Sequence, residues 1–463
     1  MIQFNLKITK RSALVVIIAA ISIMVIDSTI VKYIAFSNKE YPTPVYVSIY
    51  VTLAVIFVGT VIVLLGFVKS KNSESGSKRA ISNRNTFLII AVTQLILISI
   101  MVTIIQPTVT MKSYSTLFLI AVVYISHIAS FFFLIMLVIT LVDWLMIKRD
   151  RILSLYTISF SLTAIAIMTS LIYATYVLSD QPSNIRPSSF HRSLLDLPRS
   201  ELALSFGPAF DFMSILSFVS VWIASAVLLS TYSNRIGKIR YWTIISIPLI
   251  YFIFPFEKNV VDIFHSLAVS SPVLYGVLNV TIFSATKQIG ALFFSLVFLA
   301  ASTLVTRNEM QKYLLISAIG IAILYGAIEV DTLLFATYPP FGVVTVSFIP
   351  MGSYLLFIGI IHSARLVAHD KELRNEFYKT AMSQLKLLKA IGVTEMEKQL
   401  IRTYKSVEKR HKLTEMESMR FEKDNVRDAL HDVVDEMDKD NVRELLHEVL
   451  TELYSKTKPN KMA

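Results

Sequence analysis

Five of the ionisable residues within long apolar runs are candidates for chemistry: Asp27 in IMVIDSTIV, His127 in VVYISHIASFFF, Asp211 in GPAFDFMS, and Glu329 with Asp331 in LYGAIEVDTLLF. A charge in a bilayer is costly, so such side chains face a partner, a cavity or the interface. Three chemistries are open to them. They can pair across helices and hold a bundle, which is the plainest use. They can line a polar cavity that binds a ligand or senses a physical state. They can also relay protons or ions, because carboxyl and imidazole groups hold or release a proton according to their surroundings. Glu329 and Asp331 are two apart and so do not share a helix face. Asp143, beside Trp144 and followed by Lys148 and Arg149, reads as an anchor at the membrane interface.

Two more histidines, His431 and His447, lie in a charged C-terminal stretch, each beside an acid. They read as polar flanks of a packed stripe; no spacing around them makes a metal site. The chain has no Walker lysine loop, dinucleotide glycine loop, HExxH pair or serine elbow. Catalytic residues, cofactor and metal are therefore all expected to be none. Cysteine is absent, which excludes disulfides, thiolate ligands and thiol catalysis.

The elements that position these residues are membrane spans. Only 17% of the 463 residues are charged, against about 25% in soluble domains, and the mean hydropathy is +0.61. A span needs about 20 residues to cross about 30 Å of hydrocarbon. Ten runs are candidates, at 12–36, 45–67, 87–105, 115–146, 152–178, 208–232, 241–256, 284–305, 313–336 and 342–364. The seventh is short and holds Pro248 and Pro255, which makes it the least secure. The N-terminal run continues with little interruption, so a retained first span is expected rather than a cleaved signal.

The expected fold class is thus all-α: a polytopic transmembrane bundle of about ten spans at 1–364 with a helical tail. Alternate connectors carry the basic residues, among them Lys69, Lys71, Lys78, Arg79 and Arg84, then Lys148, Arg149 and Arg151, then Arg235, Lys238 and Arg240. The intervening connectors 37–44, 106–114 and 337–341 hold only Lys39 and Lys112. The positive-inside rule then places both termini in the cytoplasm and requires an even number of spans. The bilayer is the expected partner; basic turns between apolar runs speak for membrane orientation, and no nucleic acid is expected. Connector 179–207 reads as an irregular loop with one short surface helix at 200–206. Connector 257–283 reads as an external cap or a pair of re-entrant half-helices.

The tail is charged and balanced, with 20 basic and 19 acidic residues from Arg365 onward. Leu366, Leu373, Phe377, Ala381, Leu385 and Leu388 make a helical stripe that continues the tenth span. Gly392 interrupts it, and Thr394 with Glu397 resembles a capping box opening a second helix over 395–421. The amphipathic part is bounded at 365–422. Residues 423–455 hold a duplicated unit, DNVRDALHDVVDEMDK then DNVRELLHEVLTELYS, at a period of 16. Each copy has a helix-start cap and an apolar face. Two such short helices are marginal alone and are expected to pack on each other or on a partner. Contact with a cytoplasmic protein or a second copy is the tail's expected role, and the irregular stripe of 365–422 is weak evidence for a regular coiled coil. Residues 456–463 read as a disordered terminus.

The stretch from YPPFGVVTVSFIP to AIGVTEMEK resembles uncharacterised multi-pass membrane proteins of ammonia-oxidising archaea. It is also loosely similar to the membrane-to-cytoplasm junction of multi-pass sensor kinases. That resemblance implies that the tenth span and the helix from Arg365 form a signal-output element. The tail has no glycine-rich nucleotide pocket, and His431 in ALHDVVDE is only a faint echo of a phosphoacceptor motif. A non-enzymatic sensor-like or signalling protein acting through another protein is thus the first expectation. A secondary transporter or ion-coupled permease is the alternative, followed by a structural subunit of a membrane complex.

Overall fold

The computed structural model describes residues 10–36, 43–72, 80–147, 149–185, 201–230, 237–254, 286–305, 308–328, 338–369, 394–396 and 398, with isolated positions at 266–271. The chain divides into two units, Met1–Lys398 and Gln399–Ala463, and the described residues all belong to the first. The duplicated unit lies outside the described residues, as do Glu329, Asp331, His431 and His447.

The helices in chain order are α1 (Lys10–Phe36), α2 (Thr43–Asn72), α3 (Ala80–Thr110), α4 (Thr116–Ile147), α5 (Arg151–Ser179), α6 (Glu201–Ser230), α7 (Lys238–Ile253), α8 (Thr286–Leu304), α9 (Asn308–Ala327), α10 (Val343–Ser347) and α11 (Ile349–His369). A two-residue antiparallel pair, β1 (Tyr114–Ser115) with β2 (Asn184–Ile185), ties the start of α4 to the segment after α5. Among the described residues, eight helical segments are long and apolar enough to cross a membrane, with α10 and α11 together forming one of them. A shorter apolar helix covers Gln288–Thr303 in α8, and α7 has 16 residues.

Several helices outrun their apolar stretch. α3 begins at Ala80 and runs through Pro107 to Thr110, whereas the hydropathy of its sequence marks only 87–105. Hydropathy reports the part that sits in hydrocarbon, and the helix goes on where water or headgroups satisfy its ends. The surface helix expected at 200–206 is not separate: α6 starts at Glu201 and carries Pro208 inside it. Pro208 falls in the third turn, and the helix absorbs it.

α1 to α6 touch one another in sequence order, and α8 touches both α6 and α1, which closes a ring. Inside the ring lie α9 and the pair α10–α11. In the first six spans 33–56% of the most apolar window is buried, but the figure is 83% for α9 and 100% for α10–α11. A helix that is apolar on every side and buried on every side belongs to the core of a bundle, with no face for lipid.

α9 and α11 approach backbone to backbone. A Cβ built on Gly352 would lie 2.6 Å from Leu324 N, and one on Gly359 would lie 2.7 Å from Ser317 N. One on Gly320 would collide with Leu356 N. In a bilayer no hydrophobic force drives helices together, so contact area gained by small residues matters more. Many hydroxyls in the spans donate to the carbonyl one turn back, as Thr93 does to Ile89 (2.9 Å) and Thr157 to Leu153 (2.7 Å). That bond lets serine and threonine enter an apolar helix without an orphaned group.

This packing predicts that Gly352→Ala lowers the unfolding temperature in detergent by an amount matching about 1–3 kcal/mol of overpacking or more, because the colliding atoms are backbone. Gly59, with nothing within 4 Å of its added Cβ, is the control. Gly59→Ala is expected to be neutral or slightly stabilising, and equal losses at both positions would contradict the close approach.

Candidate functional site

Asp27, on α1, is fully buried and meets the start of the central rod. Gly342 is the residue before α10, in the left-handed region at φ 87°, a conformation glycine adopts without penalty. A side chain at that cap position would ordinarily accept from the free N–H groups of the first turn; glycine has none. Asp27 takes over this role from 315 residues away. Gly342 N donates to Asp27 Oδ1 (3.0 Å) and Oδ2 (3.1 Å). Thr345 N donates to Oδ2 at 3.2 Å and Thr345 Oγ1 at 2.6 Å. The carboxylate thus supplies a cap in trans and sits at the positive end of the helix dipole.

The segment leading into α10 is fastened as well. Phe341 meets the ring of Tyr50 on α2 edge-on, with centroids 5.9 Å apart. The Tyr50 hydroxyl is buried with no hydrogen-bond partner among the described residues. Tyr338 stacks on Tyr114 at 6.3 Å, and its hydroxyl donates to Thr108 O at the end of α3. Burial pushes both of these phenols, which lie outside the spans, above their ordinary range. Further along the rod, Gln94 Nε2 on α3 donates to Ser347 O (3.3 Å), at the break between α10 and α11. Ser130 on α4 bonds Ser353 on α11.

His127 is also fully buried. Its Nδ1 lies 2.8 Å from Val123 O, an acceptor, so Nδ1 carries hydrogen. In the neutral ring Nε2 then accepts from Ser170 Oγ on α5, at 3.2 Å. Ser170 lines a small cavity together with Ser214, Ser217, Tyr325, Phe218 and Phe252. Thr163 joins two of these groups, with Oγ1 2.5 Å from the Tyr325 hydroxyl and 3.0 Å from Ser217 Oγ. The cavity, about 20 Å³, has room for about one water.

Among the described residues, Asp27, His127 and Asp211 therefore do not gather at one place. Asp27 caps α10, and His127 reaches the cavity only through Ser170. Asp211 is exposed on α6, and it is not among the residues lining the cavity. Among the described residues no group of three His, Cys, Asp or Glu is placed to hold a metal ion.

Asp143 and Trp144 make a tertiary contact in addition to any role at the interface. Trp144 Nε1 donates to Glu395 Oε2 (2.7 Å), and Lys398 Nζ donates to Asp143 Oδ2 (2.5 Å). Thr394 and Glu395 are buried there. Sequence reading marked Asp27 and Asp143 but not their partners Gly342, Thr345, Glu395 and Lys398. The PPFG turn and the Thr394 capping pattern were the visible signals, and neither carries information about a contact hundreds of residues away.

No protein-family model, no curated protein and no solved structure matches this chain.

Asp27→Ala would leave the donors of Gly342 and Thr345 buried without an acceptor, at about 1–3 kcal/mol for each orphaned group. The expected outcome is a loss of several kcal/mol in unfolding titrations, with Asp27→Asn, which keeps one acceptor oxygen, in between. Stability of Asp27→Ala equal to that of the parent would remove the cap as a structural element.

Proposed function

We propose that this protein is a polytopic membrane sensor-like or signalling protein in which the rod α10–α11 couples the state of the bundle to the tail. The observation that carries this reading is the unbroken burial of the rod from Val343 to Ile361. A helix touched on all sides by α1, α3, α4 and α9 cannot keep its position when those neighbours shift. Its start is held by Asp27, and its helix continues past the apolar window to His369. The resemblance of residues around 325–400 to the junction of multi-pass sensor kinases supports the same direction of coupling. In this reading α7 and α8 complete ten passes, both termini are cytoplasmic, and the tail acts by contact with a protein partner or a second copy.

A secondary transporter or ion-coupled permease is the second reading, favoured by the hydroxyl-lined cavity between α5, α6, α7 and α9. Against it stands the cavity's size, about one water, and the dispersal of the described ionisable residues. A structural subunit of a membrane complex would need the bundle but not the coupling.

The test uses the full chain in lipid vesicles, with amide exchange followed over residues 370–398. Coupling predicts that Asp27→Asn, at the start of the rod, changes exchange in that stretch, and that vesicles show no flux of protons, alkali cations or small solutes above protein-free controls. Protein-dependent flux with exchange unchanged by the variant would overturn the sensor reading in favour of transport. Unchanged exchange without flux would leave the structural subunit.

A further inference from the structure

We infer that Thr394–Met396 with Lys398 is a releasable latch seated on the end of α4, and that its opening uncovers Trp144. Its existence rests on the contacts alone; its role as the output step rests on the coupling proposed above. The latch is reciprocal. Asp143 and Trp144 are adjacent on α4, and Glu395 and Lys398 are three apart, one turn of helix, so each pair presents its two groups to the other. The indole donates to the Glu395 carboxylate at 2.7 Å while the Lys398 ammonium donates to Asp143 at 2.5 Å.

Both states satisfy the groups involved. α4 has 32 residues; at 1.5 Å per residue it is about 48 Å long, against about 30 Å of hydrocarbon, so it extends beyond the hydrocarbon. Trp144 stands three residues before its end. In the closed state the indole is completely covered, whereas Lys398 and especially Asp143 keep partial exposure, at 15% and 39% of their side-chain surface. In the open state an indole at a membrane boundary is in a favoured place, with its ring in the headgroup layer and its N–H hydrated. The freed carboxylates and ammonium return to water. No buried charge is stranded by release, unlike at Asp27, which accepts from the buried donors of Gly342 and Thr345.

The chain has three tryptophans and no cysteine, which makes the latch directly readable. In the full chain in lipid nanodiscs, with Trp222→Phe and Trp242→Phe, Trp144 is the sole indole. Its emission is expected to resist aqueous quenchers when the latch is closed. Glu395→Ala removes the acceptor and Lys398→Glu sets two acids against each other; each is expected to raise quenching to that of a solvent-facing indole. The swap Asp143→Lys with Lys398→Asp is expected to restore protection, which a merely misfolded variant would not do. Trp144 equally accessible in the parent and in Lys398→Glu, or no rescue by the swap, overturns the latch. Latch opening in these variants, with tail exchange indifferent to Asp27→Asn, keeps the latch and removes the coupling reading.

Discussion

A helix that begins inside a membrane bundle must find acceptors for the N–H groups of its first turn, because no water is present to take them. In this protein the helix is α10 and the acceptor is Asp27. The left-handed glycine that starts the turn has no side chain to offer, and the carboxylate comes from the first helix of the chain. This one interaction explains why a costly acid is held in an apolar run and fully buried: its oxygens accept from the N–H groups of Gly342 and Thr345 and from the Thr345 hydroxyl. It also fixes the height of the central rod relative to α1.

The rest of the bundle follows from a rod with no lipid face. Small residues on α9 and α11 bring the two backbones into contact, and the surrounding spans close a ring around them. Polar groups that reach the rod, such as Gln94 and Ser130, arrive from α3 and α4 and satisfy atoms of the rod itself. The packing is thus tight on every side of a helix that runs on past its apolar window. In the sensor-like role proposed above, this packing is what would couple the rod to its neighbours. The contact between α4 and Glu395 with Lys398 adds a second place where the chain beyond the rod meets the bundle.

Much of the fold was legible because bilayer thickness imposes a length on apolar runs. Helices such as α3 extended beyond those runs, since hydropathy reports residence in hydrocarbon and not the end of hydrogen bonding. The helix expected at 200–206 is part of α6, because a proline in the early turns of a helix, here Pro208, does not end it. At the site, the cost of burying a charge singled out Asp27 correctly as a residue with a partner, but nothing local names Gly342 and Thr345. His127 illustrates the limit more sharply. Its type pointed to proton chemistry, yet its nitrogens are taken up by Val123 and Ser170. Asp143 and Trp144 looked like a boundary anchor because their covering residues lie some 250 positions on.

The most direct measurement of the central claim is a double-mutant cycle between Asp27→Ala and Thr345→Val, read from unfolding in mixed micelles. If the carboxylate holds the first turn of the rod, the two changes are strongly non-additive, with a coupling of about 0.5–3 kcal/mol, and Thr345→Val costs little once Asp27 is gone. Strictly additive losses would mean that the two side chains do not meet, and the account of a rod capped in trans would fail.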